Sequence, residues 1–390
     1  FRFSSVAAGI KHAESDRLDL ALIVSDNPAT SVAVTTTNLV CAAPVTITRQ
    51  RLKNGTAQAV LINTGNANAY TGDKGLADAL FLTKSVADVL AVDENLVLPM
   101  STGVIGQPLP VDRISAKIPK LVGRLNRSGL PQVASAMLTT DTVSKTASAE
   151  EKLSNGFLKI VGMAKGAGMI APNMATMLAI ILVNASVERS YLQKVFVRAN
   201  DLTFNRITID GDTSTNDTAL VMSGGSKKSV ALLDNERDLS KFSEALNRVC
   251  ASLAKQIVKD GEGATKVVEV KVFGAPDEAS AIRVSRRIAE SPLVKTAFHG
   301  EDPNWGRIIC AAGSAGVQFD PATIDLWIGQ VQIVKTGVVQ SGNCESLAKM
   351  EMANPEFSIS LNLNTGPAKA SILTCDLSED YVGINADYRS

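Results

Sequence analysis

The stretch Lys165-Gly-Ala-Gly-Met-Ile-Ala-Pro-Asn-Met-Ala-Thr176-Met-Leu-Ala-Ile-Ile-Leu-Val183 constrains this chain more than any other. A glycine-rich segment leads into Ala175-Thr176, and an apolar run from Met177 to Val183 follows at once. That run is too short for a core helix and predicts a buried strand. Thr176 then stands at the mouth of a strand held by a sheet. A hydroxyl there can attack the carbonyl before it, an N-to-O acyl shift, and hydrolysis of the ester would free the α-amino group of Thr176. A threonine with its own free amine is an activated nucleophile, because the amine can serve as its base. An α-amino group titrates at about 7.7–8.0 in model peptides, where a general base for neutral pH should sit. The plainer reading of the same letters is a glycine loop entering a strand whose first residue happens to be threonine.

The rest of the composition narrows the classes. With 390 residues there is chain enough for two lobes with sizeable cores. Formal net charge is zero and aromatics are only 4%, which argues against a nucleic-acid or anionic-membrane surface. Five cysteines at 41, 250, 310, 344 and 375 include no CxxC pair, so neither a disulfide framework nor a zinc cluster is expected. A reducing compartment fits. No apolar run approaches bilayer length. The start at Phe1-Arg-Phe-Ser-Ser5 lacks a signal peptide's apolar core, and a removed organellar presequence stays open.

Periodicity predicts alternating strands and helices. Leu18 to Val24 reads as a strand ending in a turn at Ser25–Pro28, with a second strand from Ser31 to Thr37. Ala59 to Asn63 and Val97 to Met100 read as strands, and Lys74 to Leu90 and Val111 to Leu125 as helices. Gly129-Leu-Pro131 reads as a break. Leu158 to Lys165 pairs with Met177 to Val183 across the glycine loop. Helices over Arg189–Thr203 and Arg237–Val258 and a strand over Val267–Phe273 follow. Beyond Gly274, a helix from Glu278 to Glu290, a strand from Ile308 to Ala312 and further strands predict a smaller α/β lobe.

Several segments could carry chemistry. Ser101-Thr-Gly103, read as a turn after a strand, offers backbone N–H groups and a hydroxyl that could stabilise an oxyanion. As an isolated motif it is an ordinary turn. Glu262 sits between glycines after the long helix, a common helix-ending turn with an accessible carboxylate. Asp210-Gly-Asp-Thr-Ser-Thr-Asn-Asp217 fails the calcium-loop test, since position six is Thr215 and position twelve Val221. No Gly-x-Ser-x-Gly elbow accompanies His12 or His299, so a Ser-His-Asp hydrolase is disfavoured. Tyr381 to Ser390 would ordinarily be a fraying tail.

Taken together, Lys165-Gly-x-Gly-Met-Ile-x-Pro-Asn-Met-Ala-Thr-Met-Leu, Ser-Thr-Gly-Val-Ile-Gly-Gln-Pro-Leu-Pro, Asp-Gly-Glu-Gly-Ala-Thr265 and Phe298-His-Gly-Glu-Asp-Pro-Asn-Trp-Gly-Arg307 resemble the ornithine acetyltransferase family, the bifunctional glutamate N-acetyltransferases of arginine biosynthesis. The resemblance runs from Ala7 to Ser390, with small departures at Ala167 and Cys310. It implies an α/β fold, a layered αββα-type self-processing core with a smaller C-terminal α/β lobe. It implies cleavage between Ala175 and Thr176 into fragments 1–175 and 176–390. About 176–273 would complete the core, and 274–390 would form the lobe whose tail returns to the active site. Thr176 becomes the nucleophile, with Thr102 and Gly103 as the oxyanion donors and Glu262 in the active site. Thr142, Lys165, Glu262, Asn385 and Ser390 are the implied substrate contacts. The implied reaction is ping-pong transfer of acetyl from N2-acetyl-L-ornithine to L-glutamate, with no cofactor and no metal. Some members also use acetyl-CoA, for which the sequence offers no recognisable site. An α2β2 heterotetramer of the two fragments is implied, in the cytoplasm, or in the mitochondrial matrix of a eukaryote. Two alternatives stay open: a self-processing aminopeptidase or amidase, with water as acceptor, and a non-catalytic amino-acid-binding protein with an uncut loop.

Overall fold

The strand-forming runs assemble into two sheets, one in each of two compact units of a computed structural model that describes residues 1–171, 177–224, 230–231 and 235–387. The first unit comprises Phe1–Asn205 and Asp212–Ile257, the second Arg206–Gly211 and Val258–Ser390.

In chain order the first part of the molecule contains β1 (Arg2–Val6), β2 (Leu20–Thr35), α1 (Ala43–Arg51), β3 (Thr56–Asn66), α2 (Gly72–Leu90), β4 (Val97–Val104), α3 (Val111–Gly123) and α4 (Leu130–Ala136). There follow β5 (Lys145–Leu153), β6 (Gly156–Lys165), β7 (Leu178–Val183), β8 (Ala185–Ser186), α5 (Arg189–Leu202), β9 (Thr218–Ser223), β10 (Val230–Ala231) and α6 (Glu236–Lys259). The main sheet runs β4-β3-β2-β9-β7-β6-β5, with β1 also on β2. The pairing expected across the glycine loop is present: β6 and β7 are antiparallel, Lys165 opposite Leu178.

β2 serves both halves of this sheet. Its first residues pair with β1 and β3, its last with β9, and its register against β3 shifts between Val24 and Ala29. The sequence predicts two strands split at Ser25–Pro28. One bent strand forms instead, because a bulge accommodates a proline that has no N–H to give. The bend lets the two halves share one inner core. Ala21, Ile23, Val60, Ile62, Leu98 and Met100 come from one half, and Met163, Leu178, Ile180, Leu220 and Met222 from the other. On the outer face Leu20, Leu22 and Leu61 pack with Leu82 and Val86 of α2 and Ile114 and Ile118 of α3. On the other half α6 lies so close that a Cβ on Gly162 would be 2.8 Å from Leu253 and 2.9 Å from Val249. This is the expected αββα layering. The break foreseen at Gly129–Pro131 is instead the start of α4, where proline in the first turn has no intrahelical N–H bond to forfeit.

The second unit contains β11 (Val267–Ala275), α7 (Glu278–Ala289), α8 (Pro292–His299), α9 (Trp305–Gly313), β12 (Asp325–Ile328), β13 (Val331–Lys335), β14 (Val338–Val339), α10 (Cys344–Met352), β15 (Glu356–Asn362), β16 (Ala368–Cys375) and α11 (Glu379–Ala386). Its sheet runs β14-β13-β12-β15-β11-β16 over a core that includes Val268, Val270, Val284, Ile288, Ile308 and Ile359. The strand expected over Ile308–Ala312 is helical. Asn304 caps α9 by accepting the Arg307 N–H, and Ile308, Ala311 and Ala312 bury one helical face. Among the described residues no helix is long and apolar enough to cross a membrane.

Candidate active site

In the first unit, strand register gathers residues far apart in sequence. Lys165, Leu178, Thr218 and Thr35 lie side by side at the ends of β6, β7, β9 and β2. At the ends of β3 and β4, Thr64 pairs with Thr102 and Gly65 with Gly103. Asn216 ties the two groups together: its amide donates to the Ala67 carbonyl at 2.6 Å and the Ser101 carbonyl at 2.9 Å. The result is a direct contact in which Lys165 Nζ donates to Thr102 Oγ1 at 3.2 Å, both residues being almost buried. An ammonium donating to this hydroxyl leaves the hydroxyl's own hydrogen for another acceptor.

Thr102 and Gly103 lie within β4, not in a turn after it. Gly103 has φ of +131°, and a Cβ there would overlap the Gly65 carbonyl carbon. Only glycine lets β3 and β4 approach this closely.

Asp141 was not singled out by the sequence, yet it anchors the cluster. Its side chain is fully buried and accepts Lys145 Nζ at 2.7 Å, the Gly166 N–H at 2.6 Å and the Thr139 N–H at 3.0 Å. Lys165 Nζ lies 4.0 Å away. Burial alone would raise this carboxyl's pKa, but Lys165, Lys145 and the Gly166 N–H hold it well below the usual carboxylate range. Gly166 opens the glycine loop, so Asp141 pins the loop's start. Acid and lysine sit four residues apart in Asp141-Thr-Val-Ser-Lys145, but nothing in those letters announces that both are buried. Thr142, the next residue, is exposed.

Asp217 carries no individual signal in the sequence. It precedes β9 and is 2% exposed, and its Oδ2 meets no donor among the described residues. The following N–H, from Thr218, donates to the Met177 carbonyl at 2.9 Å. Burial pushes this carboxyl up, against weaker pulls from Ser214 and Lys165.

The second unit holds Glu262 and Asn385. Glu262 is 7% exposed, and Asn385 Nδ2 donates to its Oε2 at 2.7 Å. The tail region expected to matter is therefore helical, as α11, up to Ala386. Gly263 makes the contact possible. Its φ is +67°, and a Cβ would lie 2.5 Å from Ser378 Oγ and 2.7 Å from the Tyr381 nitrogen. His299 Nδ1 pairs with Asp376 Oδ2 at 2.7 Å, and Asp376 also accepts the N–H groups of Thr265 and Lys266. These bonds fix the turn after Glu262. Ala175, Thr176 and Ser390 lie outside the described residues. Among the described residues no group of three His, Cys, Asp or Glu side chains is arranged to hold a metal ion.

A family model described as "ArgJ family" matches residues 2–390. The arginine biosynthesis bifunctional protein ArgJ of Geobacter sulfurreducens is 48% identical over 390 residues, covering all of this chain and 99% of that one. The protein of the same name from Desulfotalea psychrophila is 44% identical over 390 residues, again covering all of this chain and 99% of its own. Among solved structures, the arginine biosynthesis bifunctional protein argJ from Bacillus halodurans shares 41% identity. It superposes with a TM-score of 0.51, covering 53% of this chain and 97% of that chain. The chain belongs to the ArgJ family.

Proposed function

We propose that this protein is a glutamate N-acetyltransferase of arginine biosynthesis, which cleaves itself between Ala175 and Thr176 and then uses Thr176 to carry acetyl. The observation that carries the reading is full-length family membership together with the Lys165–Thr102 contact beside Gly103. In the first half-reaction the Thr176 hydroxyl attacks the acetyl carbon of N2-acetyl-L-ornithine and its free amine takes the hydroxyl proton. Thr102 Oγ and the Gly103 N–H stabilise the tetrahedral oxyanion. The C–N bond breaks, the proton passes to the departing amine, and ornithine leaves an acetyl ester on Thr176. L-Glutamate then attacks the ester through its own amine, giving N-acetylglutamate and restoring the hydroxyl.

Lys165 meets the substrate carboxylate, Glu262 meets the substrate amine and moves protons, and Thr142, Asn385 and Ser390 are further substrate contacts. Fragments 1–175 and 176–390 stay together as an α2β2 heterotetramer. Residues 176 to about 257 complete the catalytic core, and the later residues form a lobe whose tail returns to the site. The half-length of the Bacillus halodurans chain, matched over 97% of itself by 53% of this one, supports a two-fragment enzyme. A second, acetyl-CoA-dependent acetylation of glutamate accords with the word "bifunctional" in the relatives' names. The test is turnover with N2-acetyl-L-ornithine: acetyl transfer should require glutamate, and acetyl-CoA is then offered as an alternative donor. Fast acetate release without any amine acceptor would favour an amidase instead.

A further inference from the structure

Gly261, Gly263 and Ala264 leave the turn around Glu262 with little side chain of its own to hold it. The holding groups come from the chain after β16. Ser378 Oγ donates to the Gly263 carbonyl at 2.7 Å, and buried Asp376 accepts the Thr265 and Lys266 N–H groups on Oδ1 at 2.8 and 2.9 Å. Its Oδ2 accepts the Thr265 hydroxyl at 2.6 Å and His299 Nδ1 at 2.7 Å. Two donors on each oxygen fill the carboxylate. Burial alone would raise this carboxyl's pKa, but the Thr265 hydroxyl, His299 and the Lys266 and Thr265 N–H groups hold it below the usual value. An ionised carboxylate only accepts, so Nδ1 carries the hydrogen, in neutral imidazole and imidazolium alike. Three of the four donors belong to the turn. The fourth, His299, is the last residue of α8 and ties the carboxylate to another element. Its Nε2 lies 3.5 Å from Glu379 Oε2 in the first turn of α11, but that carboxylate is almost fully exposed and the pair contributes little. The weight falls on the Nδ1 bond.

We propose that His299 is a positioning residue for Glu262: by orienting Asp376 it fixes the turn that aims the Glu262 carboxylate at the free amine of N2-acetyl-L-ornithine, and so sets the preference for an amine-bearing substrate. The inference rests on the reading that Glu262 meets that amine. His299 acts through Asp376, so its signature is substrate preference and not general loss of turnover.

The experiment compares kcat/KM for N2-acetyl-L-ornithine with that for N2-acetyl-L-norvaline, which has the same carbon skeleton and carboxylate but no terminal amine, each with glutamate as acceptor. A general loss of activity cancels in the ratio. In His299→Asn the amide nitrogen falls where Nδ1 was, and in His299→Gln where Nε2 was, so the first keeps the donor to Asp376 and the second removes it. The wild type and the Asn variant should share one preference for the ornithine substrate. The Gln variant should lose roughly tenfold of it, the effect of one hydrogen bond to a charged group. Glu262→Gln, as the reference, should lose the preference altogether. A Gln variant with the wild-type preference, or Asn and Gln variants that lose it equally, would overturn the role of His299. A wild type with no preference, or a Glu262→Gln enzyme that keeps it, would overturn the reading of Glu262 itself. Should the Gln variant fail to fold, His299→Ala, which removes the donor without adding bulk at this partly exposed position, takes its place with the same expectation.

Discussion

Lys165 shows how a residue's environment decides what it can do. A lysine at the end of a strand is ordinarily solvated, but here its ammonium is enclosed with Thr102 and Asp141. The sequence identified Thr102, Gly103 and Lys165 through their motifs. It did not identify Asp141 or Asp217, because burial is a property of how strands stack. Asp141 and Lys145 form a buried pair, and removing one partner strands the other, at a cost of about 3–5 kcal/mol. Asp141→Asn should therefore lower unfolding stability by that order in a denaturant titration at neutral pH. The depressed carboxyl also fixes a sign. Its contribution is complete above the unfolded carboxylate pKa of about 3.9 and is lost as pH falls from there toward the folded value. The variant's stability should consequently fall less steeply with acidification than the wild type's. Parallel curves would contradict an ionised Asp141.

At the scale of elements, long periodic segments were the legible ones. β6, β7, α2, α5, α6 and α7 fall close to their expected places because a continuous apolar stripe or run needs no distant partner to be recognised. Where structure and sequence expectation differ, local punctuation acts in a wider context that the letters do not carry. Pro28 marks a bulge and not a turn, Pro131 begins a helix, and Ile308-Ile309 lies in a capped helix despite its β-branched letters. Gly263 offers a test at this scale. Gly263→Ala should cost roughly 1–2 kcal/mol for its left-handed backbone, and more where the new methyl meets Ser378 and Tyr381. The expected readout is faster hydrogen exchange or proteolysis confined to α11, with the first unit unaffected. An α11 as protected as in the wild type would mean that the tail does not depend on this contact.

For the whole molecule, the layered fold and the family were both readable in the letters, whereas the bent β2 that gives the halves one shared core was not. The proposed return of the tail to the active site makes a separate prediction. Deleting Ala386 to Ser390 should sharply lower kcat/KM for N2-acetyl-L-ornithine while cleavage before Thr176 continues, because cutting needs the loop and its oxyanion donors. Unchanged kcat/KM would make the tail an ordinary terminus, and Asn385→Ala then reports on the Glu262 contact alone. The central claim, a self-cut enzyme that carries acetyl on Thr176, is tested most directly by intact-mass spectrometry of the purified protein before and after incubation with N2-acetyl-L-ornithine in the absence of glutamate. Fragments 1–175 and 176–390 should appear without added protease, with one acetyl group gained by the second and lost when glutamate is added. Thr176→Ala should remain a single unacetylated chain. An uncut wild-type chain, equal cutting in the Ala variant, or acetyl found on the first fragment would contradict it.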